Sequence, residues 1–229
     1  MNYLGGKWAL RREIAEVINS VGRPVLEPFC GGLSVTTCVT QRPLAAYDAC
    51  EPLITLYRAV QEGWTPPGEL SEERYAELNA RRDPSDPLTA FAGFGCSWGG
   101  KYFGGFARNG DGRNYAAAAA NSLRRKFESL RGVRFGCADY RELEPPPSWT
   151  VYCDPPYAGT VGYAAVGAFD HAEFWAVVRR WSRHGTVLVS EFQAPEDFEV
   201  VAEWPVRKAL RSSDGLTTPR VERLFRLKR

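Results

Sequence analysis

Two short apolar runs, Val25-Leu26-Glu27-Pro28-Phe29 and Leu44 to Tyr47, constrain this chain most. Each is too short for a helix and stops at residues that interrupt regular structure, Gly31-Gly32 after the first and Asp48 after the second. Helical spacing follows both, over Leu33 to Val39 and over Pro52 to Gln61, the latter with proline in its first turn. This order predicts an α/β fold opening as a doubly wound, mostly parallel sheet. A helix from Trp8 to Asn19, with Ile14, Val17 and Ile18 on one face, precedes it. Strand periodicity returns at Val133 to Cys137 and Thr150 to Cys153. Asp170 is placed to cap a helix from His171 to His184, where Phe174, Val177, Val178 and Trp181 make one apolar stripe. Further strands are expected at Thr186 to Phe192, near Phe198 to Ala202, near Val206 to Leu210 and at Val221 to Leu227.

The pattern changes between the second helix and Val133. Proline breaks at 66–67 and 84–87 flank a charged helical stretch from Ser71 to Arg82, a glycine and aromatic rich tract runs from Phe91 to Tyr115, and helix resumes over Ala116 to Leu130. The expected organisation is one sheet domain from residues 1–61 and 133–229, with an inserted, mainly helical region over 62–132. A length of 229 residues accommodates that arrangement, and 44% hydrophobic with 24% charged residues excludes a disordered chain. The apolar runs fall far short of a membrane span, and Met1 to Arg12 holds no cleavable apolar stretch, so a cytoplasmic protein away from membranes is expected.

The six cysteines form no C-x2-C pair and have no histidine at ligand spacing, so no metal is expected and they read as reduced core residues. The net charge of +2 is unevenly spread. Residues 97–136 carry eight basic against two acidic groups, 205–229 the same, and 137–204 four basic against eleven acidic. Two basic blocks around an acidic one suit an enzyme that holds a polyanion, although solvated surface charge accounts for the same counts.

Three places carry chemistry. At Glu27 to Val35 two glycines let a ligand approach the backbone without meeting a Cβ, and amides at a helix start there can hold an anion. Asp48, one strand further on, is placed either to accept hydrogen bonds from ribose hydroxyls or to cap its loop. The most specific signal is Asp154-Pro155-Pro156-Tyr157, directly after an apolar strand. Two prolines remove two amides and fix φ, which makes a rigid ledge of outward carbonyls. Asp154 and the Pro155 carbonyl can accept the two hydrogens of an exocyclic amine, and the Tyr157 ring offers a face for a flat base. Holding both N–H bonds favours pyramidal nitrogen and turns its lone pair toward an electrophile.

In these motifs and their order the chain resembles the Dam-like, α-class DNA adenine-N6 methyltransferases, over nearly its whole length. The resemblance rests on Tyr3-Leu4-Gly5-Gly6-Lys7, on Glu27 to Val35, on Asp48, on Asp154 to Tyr157 and on Ser212-Ser213-Asp214-Gly215. It implies a class I, seven-stranded S-adenosylmethionine-dependent fold, with catalysis by Asp154, Pro155, Pro156 and Tyr157. It also implies cofactor contacts from Tyr3, Lys7, Glu27, Phe29, Gly31, Gly32, Ser34, Asp48 and Asp154, with Asp139 and Tyr140 lining the adenine pocket of the cofactor. S-adenosylmethionine is then the cofactor, without a metal. The target adenine must be extruded from double-stranded DNA to reach the site. The chain is expected to act as a monomer; protection of DNA beside a cognate restriction endonuclease, marking of replication or repair, and a phage role all stay open as its setting.

On the same resemblance the insertion is the target-recognition region. Arg108, Asn109, Arg113 and Asn114 are candidates for reading base edges, and Lys101, Arg124, Arg125 and Lys126 for phosphates. Phe94, Trp98, Tyr102, Phe103 and Phe106 either face DNA on a loop or form a small core. Glu191 either faces the site or caps a loop. Alternatives are a methyltransferase acting on cytosine N4, RNA adenine or a protein glutamine amide, and a DNA-binding protein without activity.

Overall fold

A computed structural model describes residues 3, 5–108, 112–157, 169–206 and 220–228. The elements run α1 (Arg11–Ser20), β1 (Val25–Glu27), β2 (Leu44–Asp48), α2 (Glu51–Gln61), α3 (Glu72–Arg81), α4 (Pro87–Gly95), α5 (Tyr115–Glu128), β3 (Arg134–Cys137), β4 (Thr150–Cys153), α6 (His171–Ser182), β5 (Thr186–Glu191), β6 (Phe198–Val206) and β7 (Arg220–Leu227). Among the described residues the strands form one seven-stranded sheet in the order β3-β2-β1-β4-β5-β7-β6. The first five strands are parallel, and β7 runs antiparallel to both β5 and β6. The strand order reverses between β1 and β4, and ligands of open α/β sheets bind in the crevice at such a point, beyond the carboxyl ends of the strands.

The period of two divides the core cleanly. Val25, Leu44, Ala46, Tyr152 and Leu188 point into one cluster, shared with α1, α2 and the helices of the 62–132 block. Leu26, Ala45, Val151, Cys153, Val187 and Val189 point into the other, covered by Phe174, Trp175, Val177, Val178 and Trp181 of α6. Asp170 caps α6 as expected, accepting from the Glu173 amide at 2.9 Å. No described helix is long and apolar enough to cross a membrane.

Several expectations are corrected. The segment from Leu33 to Val39 is not an α-helix: Leu33 is left-handed (φ 58°) and only a 3-10 turn forms at Thr36–Cys38. The β-branched run Val35-Thr36-Thr37 disfavours helix, and the Thr36 hydroxyl is bonded to Glu27. There is therefore no helix N-terminus behind the glycine turn. The first helix begins at Arg11 rather than Trp8. The runs near Phe198 and Val206 belong to the single strand β6, which reaches Val206; 207–210 lie outside the described residues, as do Asn109 and Ser212 to Gly215.

The largest correction lies within Phe91 to Tyr115. Its first part is the helix α4, capped by Asp86, which accepts from the Leu88 and Thr89 amides at 3.0 and 3.2 Å, with Pro87 opening the first turn. Glycine weakens a helix, but a Cβ on Gly93 would lie 2.3 Å from the Tyr102 ring, so close packing requires glycine there. Phe91, Phe94 and Phe103 are core residues, and Tyr102 packs on Phe94 with centroids 4.6 Å apart. Phe106 packs partly buried against the same core, whereas Trp98, 63% exposed, points outward. The cysteines also divide: Cys30, Cys96 and Cys153 are buried and Cys38 and Cys50 half-buried, but Cys137 is exposed, and all six are free.

Candidate active site

At the carboxyl end of β4, Asp154 meets Lys7 from the N-terminal segment, with the Lys7 ammonium donating to Asp154 Oδ1 at 2.9 Å. Pro155 is buried behind it, and Pro156 and Tyr157 are half-buried. The same ammonium stands 3.7 Å from Glu222 Oε1 of β7 and 4.1 Å from the centroid of the Tyr157 ring. The Tyr157 hydroxyl donates to Glu222, and the Phe192 ring meets Tyr157 edge to face at 4.7 Å. Burial pushes the Asp154 carboxyl above its ordinary value, opposed by Lys7 and by a hydrogen bond from Tyr157. Burial pulls the Lys7 ammonium down, but Asp154, Glu222 and Glu191 together raise it above the ordinary lysine value. Lys7 is therefore a cation at neutral pH, held in a nest of carboxylates.

Glu191, at the end of β5, is 4% exposed and accepts from the Phe192 amide at 2.8 Å. It thus holds the start of its own loop, and its charge contributes to raising Lys7. Glu222 is a site residue that sequence reasoning missed. The available signal was its spacing of two from Leu224, which places it on an inward face of β7.

The glycine turn is held from several sides. The Gly31 amide donates to Asp48 Oδ2 at 2.9 Å, while Asp48 Oδ1 accepts from the Cys50 amide at 2.9 Å. The Tyr57 hydroxyl donates to the Gly31 carbonyl at 2.6 Å, and the Lys126 ammonium donates to the Gly32 carbonyl. Tyr57 carried no warning in the sequence, where it reads as an ordinary core aromatic. The Tyr3 ring lies on the turn: a Cβ on Gly31 would come within 2.9 Å of it, and one on Gly32 within 2.6 Å of the Tyr3 Cβ. Ser34 approaches Gly6, whose Cβ would lie 3.2 Å from the serine Oγ.

Glu27, at the end of β1, is buried and accepts from the Thr36 hydroxyl at 2.7 Å. Burial pushes its pKa up to about 8, with smaller pushes from Asp154 and Asp48. Burial also raises Asp48, against the pull of its two amide donors. Phe29 packs on Tyr140 at 5.3 Å and on Phe174 at 5.8 Å. Asp139 is bound to the guanidinium of Arg141 at 2.8 Å, and that hydrogen bond holds its carboxyl below the ordinary range.

The basic residues over 62–132 meet different partners. Lys126 is not at the surface to meet phosphate; it is buried on the glycine turn, where burial and Arg11 pull its pKa down to about 8. Lys101, Arg124 and Arg125 are exposed. Arg108 pairs with Glu72, Arg113 lies over the Tyr115 ring at 5.3 Å, and Asn114 caps α5 through the Ala117 amide at 2.8 Å while donating to the Gly68 carbonyl at 3.0 Å.

Residues 3–83 match the family model of D12 class N6 adenine-specific DNA methyltransferases. The match takes in Lys7, the glycine turn and Asp48, and stops short of Asp154. No curated protein matches the chain. Among solved structures, one described as an RNA methyltransferase from Pyrococcus horikoshii is 8% identical, with a TM-score of 0.43, over 95% of this chain and 81% of that one. A tRNA methyltransferase from Aquifex aeolicus is 12% identical, with a TM-score of 0.40, over 96% and 68%. A third, described as a methyltransferase complexed with SAH, is 8% identical, with a TM-score of 0.37, over 97% of this chain and 53% of its own. The seven-stranded sheet, with five parallel strands and an antiparallel β7, is the Rossmann-like arrangement of class I methyltransferases. The family match supports methyltransferase chemistry for the chain.

Proposed function

We propose that this protein transfers a methyl group from S-adenosylmethionine to the N6 amino group of an adenine extruded from double-stranded DNA. The observation that carries the reading is the position of Asp154-Pro155-Pro156-Tyr157 at the carboxyl end of β4, where the strand order reverses, with Lys7 on the carboxylate. The D12 class match over residues 3–83 supports adenine as the substrate and DNA as the partner.

The chain's own residues suit that cofactor. Gly31 and Gly32 leave the backbone free of side chains beside Tyr3, and the Asp48 and Asp154 carboxylates suit a cation. Asp48 keeps lone pairs beyond the two taken by amides, so it can still accept from ribose hydroxyls. When bound, S-adenosylmethionine supplies an electrophilic methyl carbon on positively charged sulfur. Asp154 and the Pro155 carbonyl then accept the two amino hydrogens, which sharpens the nitrogen lone pair. Tyr157 stacks against the base, and Asp154 takes up the proton that nitrogen sheds after methylation. Positioning and preorganised charge carry the rate.

The test is transfer of tritiated methyl from S-adenosylmethionine to unmethylated DNA, to RNA and to protein in parallel, with Asp154→Ala as control. Label in adenine of DNA is expected, and the variant should lose about a hundredfold or more of it. Label in RNA, cytosine or protein instead, or undiminished transfer by the variant, refutes the proposal.

A further inference from the structure

Lys7 stands where a substrate would. Its ammonium is 2.9 Å from Asp154 Oδ1 and 4.1 Å from the centroid of the Tyr157 ring, so it covers both the acceptor and a ring face that an amino-bearing base needs. An incoming amine competes with this ammonium for the same carboxylate. Withdrawing Lys7 without a new partner would leave a buried cation uncompensated, a strongly unfavourable state.

Glu222 supplies that partner. It already lies 3.7 Å from the ammonium, so a short turn of the lysine side chain brings the two into hydrogen-bonding distance. The side chain of Asp154 is 18% exposed and that of Glu222 only 5%, so a ligand entering from solvent reaches Asp154 first and the ammonium retreats inward. Glu222 also accepts from the Tyr157 hydroxyl, which fixes the ring while the lysine moves. Glu191 adds negative potential at Lys7 from β5.

We infer that Glu222 is a positioning residue of this site: it receives the Lys7 ammonium when the substrate's amino group takes Asp154, and it anchors the Tyr157 ring throughout. No proton changes hands, since lysine stays an ammonium and Glu222 a carboxylate. The inference rests on the amino-group substrate proposed above.

The test uses the full chain with Glu222→Gln and Glu222→Asp. Calorimetry with S-adenosylmethionine should give affinities within about twofold of wild type. Transfer to unmethylated plasmid DNA should fall about 10- to 100-fold in kcat for E222Q, with part of the loss restored in E222D. On a Lys7→Met background, E222Q should slow transfer no further. A second readout needs no methylation. The chain has five lysines, so 13C reductive methylation resolves Lys7 by NMR. Its titration midpoint should fall in E222Q, which removes one of the carboxylate charges that raise it.

Wild-type turnover by E222Q, or an equal loss on the K7M background, overturns the inference. If wild type labels neither nucleic acid nor protein, the proposed function fails, and the Lys7 titration decides the inference alone: an unchanged midpoint in E222Q overturns it. If E222Q does not fold, E222D is read in its place, with the same directions and smaller losses.

Discussion

The ammonium of Lys126, on the last turn of α5, donates to the carbonyl oxygen of Gly32 in the turn after β1. A side chain from the 62–132 block thus holds the backbone where the cofactor is proposed to lie. Replacing Lys126 with methionine keeps most of the volume and the apolar stem while removing that donor. The fold should survive, because a buried ammonium contributes little net stability, and affinity for S-adenosylmethionine should drop about tenfold as the turn loosens. Calorimetry on the folded variant checks this; unchanged affinity would remove the role.

Glu27 makes stability depend on pH in a defined direction. Its folded-state pKa of about 8 lies above the ordinary 4.5, so the folded state prefers the protonated acid. The stabilisation is complete below about pH 4.5 and is lost as pH rises toward 8. Glu27→Gln keeps an acceptor for Thr36 and cannot ionise. Urea unfolding of both proteins at pH 5 and pH 8 should show the gap between them shifting by a few kcal/mol in favour of glutamine at the higher pH. A gap that stays constant sinks the assignment.

Gly32 admits no side chain. A Cβ there would come within 2.6 Å of the Tyr3 Cβ, which sits close to the main chain and cannot swing aside as a side-chain tip would. Gly32→Ala should displace the Tyr3 segment, and Lys7 with it, and reduce cofactor affinity by about tenfold or more while the sheet still folds. Normal binding by the alanine variant would mean that the Tyr3 contact is dispensable.

Tyr157 has two separable parts. Tyr157→Phe keeps the ring under Lys7 but takes a donor from buried Glu222, which should cost about 1–3 kcal/mol of stability and less than tenfold in turnover. Tyr157→Ala removes the stacking face as well and should lose considerably more activity. Equal activity of the two variants would assign the tyrosine a hydroxyl role alone.

Much of this arrangement is legible in the amino-acid sequence. The two runs ending at Gly31-Gly32 and Asp48 placed the first strands, and the apolar run before Asp154 placed β4, because buried parallel strands read as short, unbroken apolar segments. The helix α4 was hidden by its composition: glycine and aromatics suggest a loop, and only the close approach of Tyr102 explains why glycine sits in a buried helix. Lys126 was hidden by its neighbours Arg124 and Arg125. Helical spacing carries the correct answer, since Ala116, Ala119, Leu123 and Lys126 make the buried stripe of α5. The spacing of two from Leu224 marks Glu222 as inward-facing, but its meeting with Lys7 depends on β7 lying between β5 and β6, which local periodicity does not give.

The acidic rim bears on how a catalytic cycle would end. Set against the single Lys7 ammonium, Asp48, Asp154, Glu191 and Glu222 would favour a ligand with positive charge over a neutral one of the same shape. Methyl donation turns a sulfonium into an uncharged thioether, so the chemical step would itself weaken the hold on the spent molecule. On this view, product departure is driven by the disappearance of a charge and needs no separate door to open.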